Sequence, residues 1–221
     1  MGKFGLRSGP LGTRDPSTVN LQQVELELEK QLCAFRTLFD APPSHADGHQ
    51  HIHVLPARVL PRHHVRWIRV PREHPDNFEH AENLSSDSAR FLRTVSAEAE
   101  KARPAFISSG LKCTEAFIGM TLMGSHQTID NISSCLNRLS HSIEGTTVEF
   151  MTHPGFKLQC DAPKQIHGGD MDGCGDPDGP DTFSCSSDRE HEMQLLCGAD
   201  FRNLLARTSW RLSTFRDLDA F

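Results

Sequence analysis

The sequence lacks the long apolar segments that membrane insertion requires. No apolar run in the 221 residues reaches about 18 residues, the length of a transmembrane helix, so no membrane partner is expected. The first residues also lack the apolar core of a secretion signal. From these two absences we expect a cytoplasmic protein.

Paired cysteine motifs and an excess of positive charge are absent as well. The seven cysteines form no CxxC pair, and an odd count without a secretion signal indicates reduced thiols. Cys160, Cys174 and Cys185 are conceivable zinc ligands, but their spacing matches no common zinc finger. The net charge of −6 does not suggest a nucleic-acid partner.

What is present is an alternation of helix and strand patterns. The predicted helices cover residues 18–39, 85–103, 128–141 and 187–205, and the predicted strands cover residues 45–53, 65–70, 116–122, 146–151 and 210–215. Pro42-Pro43 should end the first helix, and Pro104 should end the second. Strands that alternate with helices of this length indicate an α/β fold with a parallel sheet, open or closed. The length fits one domain over residues 1–221.

The run from His45 to His53 carries the densest set of reactive side chains. Histidines at 45, 49, 51 and 53 alternate with other residues, and Asp47 takes the remaining position in the series. In a β-strand these five side chains share one face, with neighbours roughly 6.6 Å apart, so one cation contacts only one or two of them. Further ligands must come from elsewhere in the chain. A solvated histidine tract that binds metal loosely remains the alternative.

A second candidate group follows the predicted strand at 146–151. His153 precedes Pro154-Gly155, a turn that can expose the imidazole. In parallel α/β folds, reactive groups collect at the carboxyl ends of strands. Imidazole and carboxylate groups suit a divalent cation that acts as a Lewis acid, with a carboxylate as base and His153 as the acid for the leaving group. These residue types indicate a metal-dependent hydrolase of amides or esters.

The stretch Pro43-Ser44-His45-Ala46-Asp47-Gly48-His49-Gln50-His51-Ile52-His53 resembles the hallmark motif of the YdjC-like carbohydrate deacetylases, Pro-Thr-His-x-Asp-(Ser/Gly)-His-x-His-x-His. Residues 115–124, 149–155 and 183–189 agree with that family in the same order, and the animal members are the most similar. The resemblance implies a divergent (β/α) barrel related to the polysaccharide deacetylases. It also implies removal of acetyl groups from N-acetylated sugars with a divalent metal, usually magnesium.

The same resemblance implies roles for single residues. His49 matches the metal ligand of the motif, and Asp47 and His51 would line the site where the acetylated oligosaccharide binds. His153 matches the histidine of the family's His-Pro-Gly motif and is our candidate general acid. Arg189 would contact the substrate or a site carboxylate, with a surface salt bridge as the alternative.

The sequence also departs from the family. Family members begin with a strand that ends in Ala-Asp-Asp-Phe-Gly, which supplies the base and a metal-binding aspartate, and a later strand adds a metal histidine; neither is found here. Only eleven residues separate His53 from Val65, which is short for a parallel crossover. We therefore expect a partial (β/α) barrel that lacks its first strands and is inactive as it stands. The alternatives are a non-catalytic binding module that retains part of the fold and a histidine-rich metal-storage protein.

Overall fold

The structure is a computed structural model that describes residues 21–48, 59–79, 84, 86–139, 146–156, 186–208 and 210–219. The chain divides into two compact units. We call the described residues within 15–118, 142–150 and 211–221 the strand unit, and those within 119–141 and 151–210 the helical unit. The single domain expected from the length stays a prediction.

The elements of the described residues alternate as an α/β fold should. In chain order they are α1 (Leu21–Phe39), β1 (His45–Ala46), β2 (Trp67–Ile68), α2 (Pro75–Glu79), α3 (Ser86–Ser108), β3 (Ala116–Ile118), α4 (Ile129–Leu139), β4 (Val148–Phe150), α5 (Ser187–Cys197), α6 (Ala199–Arg207) and α7 (Phe215–Leu218). Short 3₁₀ turns cover Leu60–His63 and Gly124–His126. None of the described helices is both long and apolar enough to cross a membrane.

The strands of the described ranges belong to the strand unit, and their pairing is parallel. β1 pairs with β2, so that His45 lies opposite Trp67, and β3 pairs with β4, so that Ala116 lies opposite Val148. A further parallel bridge joins Trp67 to Lys112. Parallel pairs separated by helices confirm the predicted α/β class, whereas closure into a barrel stays a prediction.

The core of the strand unit is built from the apolar faces of α1 and α3 and from the segments around β2. Leu28 and Leu32 lie one helical turn apart on α1, which places both on the side that packs inward. The buried residues of this core are Leu32, Val59, Leu60, Val65, Ile68, Val70, Ala99, Phe106 and Leu111. The predicted helix at 18–39 is thus confirmed over its described length. Its last turn exposes Leu38 and Phe39 to solvent.

The second predicted helix ends later in the structure than the sequence predicted. α3 continues through Pro104 to Ser108, although proline removes a helical hydrogen bond and crowds the preceding turn. The added turn buries Phe106 in the core of the strand unit, with 2% of its surface exposed. Burial of a phenylalanine side chain contributes about 1.5–3 kcal/mol, which is comparable to the roughly 3 kcal/mol that an internal proline costs.

The predicted strand at 116–122 is shorter than its apolar run. β3 ends at Ile118 because Gly119 adopts a φ of +133°, which is incompatible with a continued strand. Met120 and Leu122 are nevertheless buried. The pattern therefore gave the burial correctly and the strand length wrongly.

Two predictions for the C-terminal part are corrected. The single helix expected at 187–205 is α5 followed by α6, because Gly198 is extended and serves both as the last cap of α5 and as the first cap of α6. The strand expected at 210–215 is absent from the described residues there. Thr214 and Asp217 form a capping box, in which each side chain bonds to the backbone of the other, and this starts α7.

Candidate functional site

Three charged side chains of the strand unit meet beside the ends of β1 and β2. Arg69 donates from Nε to Oε1 of Glu149 at 2.6 Å and from Nη1 to Oδ2 of Asp47, also at 2.6 Å. The guanidinium carbon lies 5.9 Å from the centre of the Phe117 ring. We call Asp47, Arg69 and Glu149 the Arg69 cluster.

The parallel pairing of β1 and β2 explains why two of these residues meet. Asp47 directly follows β1, and Arg69 directly follows β2. The backbone N–H of Arg69 donates to the carbonyl of Ala46 at 3.0 Å, so the two chains leave the sheet side by side. Glu149 lies in the middle of β4, where its side chain is buried. The Arg69 cluster therefore lies at the carboxyl ends of β1 and β2, the edge at which parallel α/β folds hold reactive groups.

Burial and charge shift two pKa values around this cluster. Burial raises the pKa of Glu149 above its ordinary value, although the adjacent Arg69 guanidinium acts in the opposite direction. Oε2 of Glu149 is buried and has no hydrogen-bond partner among the described residues. Burial also lowers the pKa of His45, an effect that Asp47 opposes and Arg69 reinforces. His45 is therefore favoured in its neutral form.

The first histidine of the motif is covered by the C-terminal segment. The ring of His45 stacks on Phe215, with 4.3 Å between ring centres and 24° between planes. Trp67 lies 5.6 Å from the same phenylalanine, and its indole N–H donates to Oδ1 of Asp219 at 2.9 Å. These contacts give His45 a packing role, which agrees with its neutral form.

In the helical unit, the residues His153, Pro154 and Gly155 form a segment that we call the HPG turn. Its first N–H, that of His153, donates to Oε2 of Glu192 at 2.5 Å. Nδ1 of the His153 imidazole lies 3.9 Å from Oε1 of the same carboxylate. The side chain of Glu192 is fully buried, whereas 29% of the His153 side chain is exposed. The turn thus presents an imidazole partly to solvent, with a carboxylate beneath it.

Arg189 packs along the HPG turn. Its backbone carbonyl accepts from the N–H of Gly155 at 3.1 Å, and its Nε donates to the carbonyl of His153 at 3.4 Å. A Cβ at Gly155 would lie 2.8 Å from the guanidinium, so a larger residue there would require the end of the Arg189 side chain to move. Arg189 therefore supports the turn, and its contact with substrate stays a prediction.

The described residues contain part of the predicted site. Asp47 lies in the Arg69 cluster and His153 beside Glu192, whereas His49 and His51 lie outside the described residues. The sequence analysis missed Arg69, Glu149 and Glu192. Each had a signal in the sequence. Arg69 is a cation near the end of a predicted strand, and Glu149 is an acid inside an otherwise apolar strand. Glu192 is an acid in phase with the apolar residues Leu195 and Leu196.

The described residues do not by themselves fit a metal ion. Within those ranges, no three histidine, cysteine, aspartate or glutamate side chains lie close enough together to hold one. The carboxylate of Asp47 is already bound by the Arg69 guanidinium. A metal site would therefore need at least one ligand beyond the described residues, and the role of His49 as a metal ligand stays a prediction.

Comparisons with known proteins agree with the motif. The family model described as YdjC-like protein matches residues 2–207. The carbohydrate deacetylase of Homo sapiens is 36% identical over an alignment that covers 100% of this chain and 68% of the relative, and the protein of the same name from Mus musculus gives the same values. The chitooligosaccharide deacetylase of Yersinia pestis is 32% identical over 49% of each chain. No solved structure matches the chain significantly. From the extent of the family match and the identity to the animal relatives, we conclude that the chain belongs to the YdjC-like family.

Proposed function

We propose that this protein is of the carbohydrate deacetylase type, a hydrolase that removes acetyl groups from N-acetylated oligosaccharides. The observation that carries the proposal is the alignment of the whole chain with animal proteins named carbohydrate deacetylase. A relative named chitooligosaccharide deacetylase supports a chitin-type sugar as the substrate class. The mixed α/β architecture with parallel strands is compatible with the (β/α) barrel expected for the family.

In this proposal His153 is the general acid. Hydrolysis of an amide requires a proton on the departing nitrogen, and an imidazole is suited to deliver it near neutral pH. His153 is partly exposed and has a carboxylate at ion-pair distance, which favours its charged form. Asp47, His51 and Arg189 are the candidates for contact with the sugar. Asp47 is itself held by Arg69, which fixes the direction of its carboxylate.

Dependence on a divalent cation is part of the proposal, with magnesium as the expected ion and His49 as its ligand. The support is the motif resemblance and the preference of divalent cations for imidazole and carboxylate donors. The family's Ala-Asp-Asp-Phe-Gly segment is not found among the 221 residues. We therefore expect the chain tested alone to release no acetate, because the base and one metal ligand of the family reside in that segment.

The test is acetate release from an N-acetylated chito-oligosaccharide. We expect no activity from the 221-residue chain alone, and activity once a family member's Ala-Asp-Asp-Phe-Gly strand is fused upstream of it. That activity should be lost on chelation and in the His49→Ala and His153→Ala variants. A folded fusion that binds the metal but releases no acetate would contradict the proposed reaction. Acetate release by the 221-residue chain alone, abolished by His49→Ala, would contradict the expected inactivity.

The missing base segment favours a second candidate, a non-catalytic sugar-binding module. Calorimetric titration of the 221-residue chain with the same oligosaccharide distinguishes the two. Saturable binding together with an inactive fusion supports the binding module. An active fusion supports the enzyme, and the histidine-rich metal-storage alternative predicts several ions per chain where the enzyme predicts one.

A further inference from the structure

Glu192 of α5 is a charged residue buried in the helical unit. It exposes 1% of its surface, although the exposed and half-buried positions of the same helix hold other acids, Asp188 and Glu190. A carboxylate is costly to bury unless hydrogen bonds replace its lost water. The groups that supply those bonds therefore indicate what the burial achieves.

Both oxygens of Glu192 accept hydrogen bonds from backbone N–H groups of connecting segments. Oε1 accepts from Gly124 at 2.7 Å, and Oε2 accepts from His153 at 2.5 Å. Gly124 has a φ of +60°, and the side chain of Asp188 fills the space where its Cβ would lie. One side chain thus ties the HPG turn to the 3₁₀ turn at Gly124–His126.

The same carboxylate faces the imidazole of His153. Nδ1 lies 3.9 Å from Oε1, within reach of an ion pair and beyond a direct hydrogen bond. When Nδ1 carries its hydrogen toward Glu192, proton exchange with a ligand takes place at the second ring nitrogen, Nε2. The identity of the exchanging nitrogen therefore depends on the carboxylate.

We propose that Glu192 is the positioning residue for the acid His153. This inference rests on the proposed function, in which His153 serves the departing amine. Glu192 keeps a hydrogen on Nδ1 and favours a second proton on Nε2. After water has added to the amide carbonyl carbon, the C–N bond breaks and leaves acetate; its electron pair stays on nitrogen and takes the Nε2 proton. The imidazole is then neutral, with the Nδ1 hydrogen still directed at Glu192.

Arg189, on the same helix as Glu192, acts in the opposite direction. Its guanidinium donates to the carbonyl of His153 at 3.4 Å, and its positive charge disfavours the imidazolium. Asp188 lies against Gly124, and His191 bonds to the carbonyl of Gln127 at 2.9 Å. Among these groups Glu192 is the carboxylate that lies against the imidazole ring. Its removal should therefore change the pKa of His153 more than a substitution at any of the others.

The experiment is an NMR titration of His153 in the full 221-residue chain, with the resonance assigned from the His153→Asn variant. In the wild type we expect a pKa above about 6.5 and a hydrogen on Nδ1 in the neutral form. In Glu192→Gln the pKa of His153 should fall by about 1, and the preferred tautomer should change. Glu190→Gln removes the same charge from the same helix and should leave both unchanged.

A folded Glu192→Gln variant with an unaltered pKa and tautomer at His153 would overturn the proposal. If that variant does not fold, the test is made on the wild type. A wild-type pKa of His153 at or below about 6.5, together with the hydrogen on Nε2 in the neutral form, would also overturn the proposal. The NMR titration does not depend on deacetylase activity. A failed deacetylase assay therefore contradicts the proposed function alone, and a failed titration contradicts only the pairing of Glu192 with His153.

Discussion

Arg69 and Glu149 form a partly buried ion pair in the strand unit, with Nε and Oε1 2.6 Å apart and side-chain exposures of 16% and 7%. The second arm of the guanidinium holds Asp47, so one cation joins the residue after β1 to a residue within β4. One guanidinium thus links the ends of β1 and β2 to β4. Substitutions can therefore compare the contribution of this pair to the free energy of unfolding with that of an exposed pair.

Replacement of Arg69 by methionine should strongly destabilise the chain. The change leaves the carboxylate of Glu149 buried without its partner, and a broken buried pair typically costs about 3–5 kcal/mol. The free energy of unfolding in urea measures the loss. Lys101→Met is the control, because its pair with Glu98 is exposed and should contribute less than about 1 kcal/mol. Equal losses in the two variants would contradict the assignment.

The raised pKa of Glu149 predicts a specific dependence of stability on pH. The folded chain binds this proton more tightly than the unfolded chain, whose glutamate has the ordinary pKa of 4.5. Stability from this group is therefore complete below that value and is lost as the pH rises through the raised pKa. Relative to Glu149→Gln, the wild type should lose unfolding free energy as the pH rises from 4.5 through the raised pKa of Glu149. A difference that stays constant or grows with pH would show that the carboxyl is not shifted upward.

Gly119→Ala should destabilise the helical unit more than an ordinary glycine substitution. A Cβ at this position would lie 2.5 Å from the carbonyl oxygen of Met151, in addition to the strain of a φ of +133°. Gly110→Ala is a matched control, because Gly110 has a φ of +88° and open space around it. The control should lose about 1–3 kcal/mol from backbone strain, and Gly119→Ala should lose more. Thermal unfolding of both variants gives the comparison.

Asp219→Ala should loosen the C-terminal segment from Trp67. Asp219 accepts from the indole N–H at 2.9 Å and pairs with Arg66 and Lys112. Loss of these bonds should shift tryptophan emission to longer wavelength as water reaches the buried indole. Asp200→Ala removes an exposed acid at the start of α6 and should leave the spectrum unchanged. An identical spectrum in Asp219→Ala would contradict this role of Asp219.

The repeating patterns of the sequence predicted the helices and the α/β class well. α1 and α4 follow from apolar residues in helical phase, and the parallel pairing follows from the alternation of helices with strands. The failures occur where a single residue competes with the pattern. Pro104 stays inside α3 because Phe106 is buried beyond it, and Gly198 divides α5 from α6 although the apolar phase continues.

The sequence by itself determined the family, the histidine motif and the side chains able to bind metal or transfer a proton, because these depend on residue type and spacing along the chain. Only the tertiary structure decided that Arg69 bridges Asp47 and Glu149 and that Glu192 lies beneath His153. Those partners are 22, 80 and 39 residues apart in the chain, as their numbers show. Side chains so far apart are brought together only by the pairing of strands and the packing of helices, which no local pattern records.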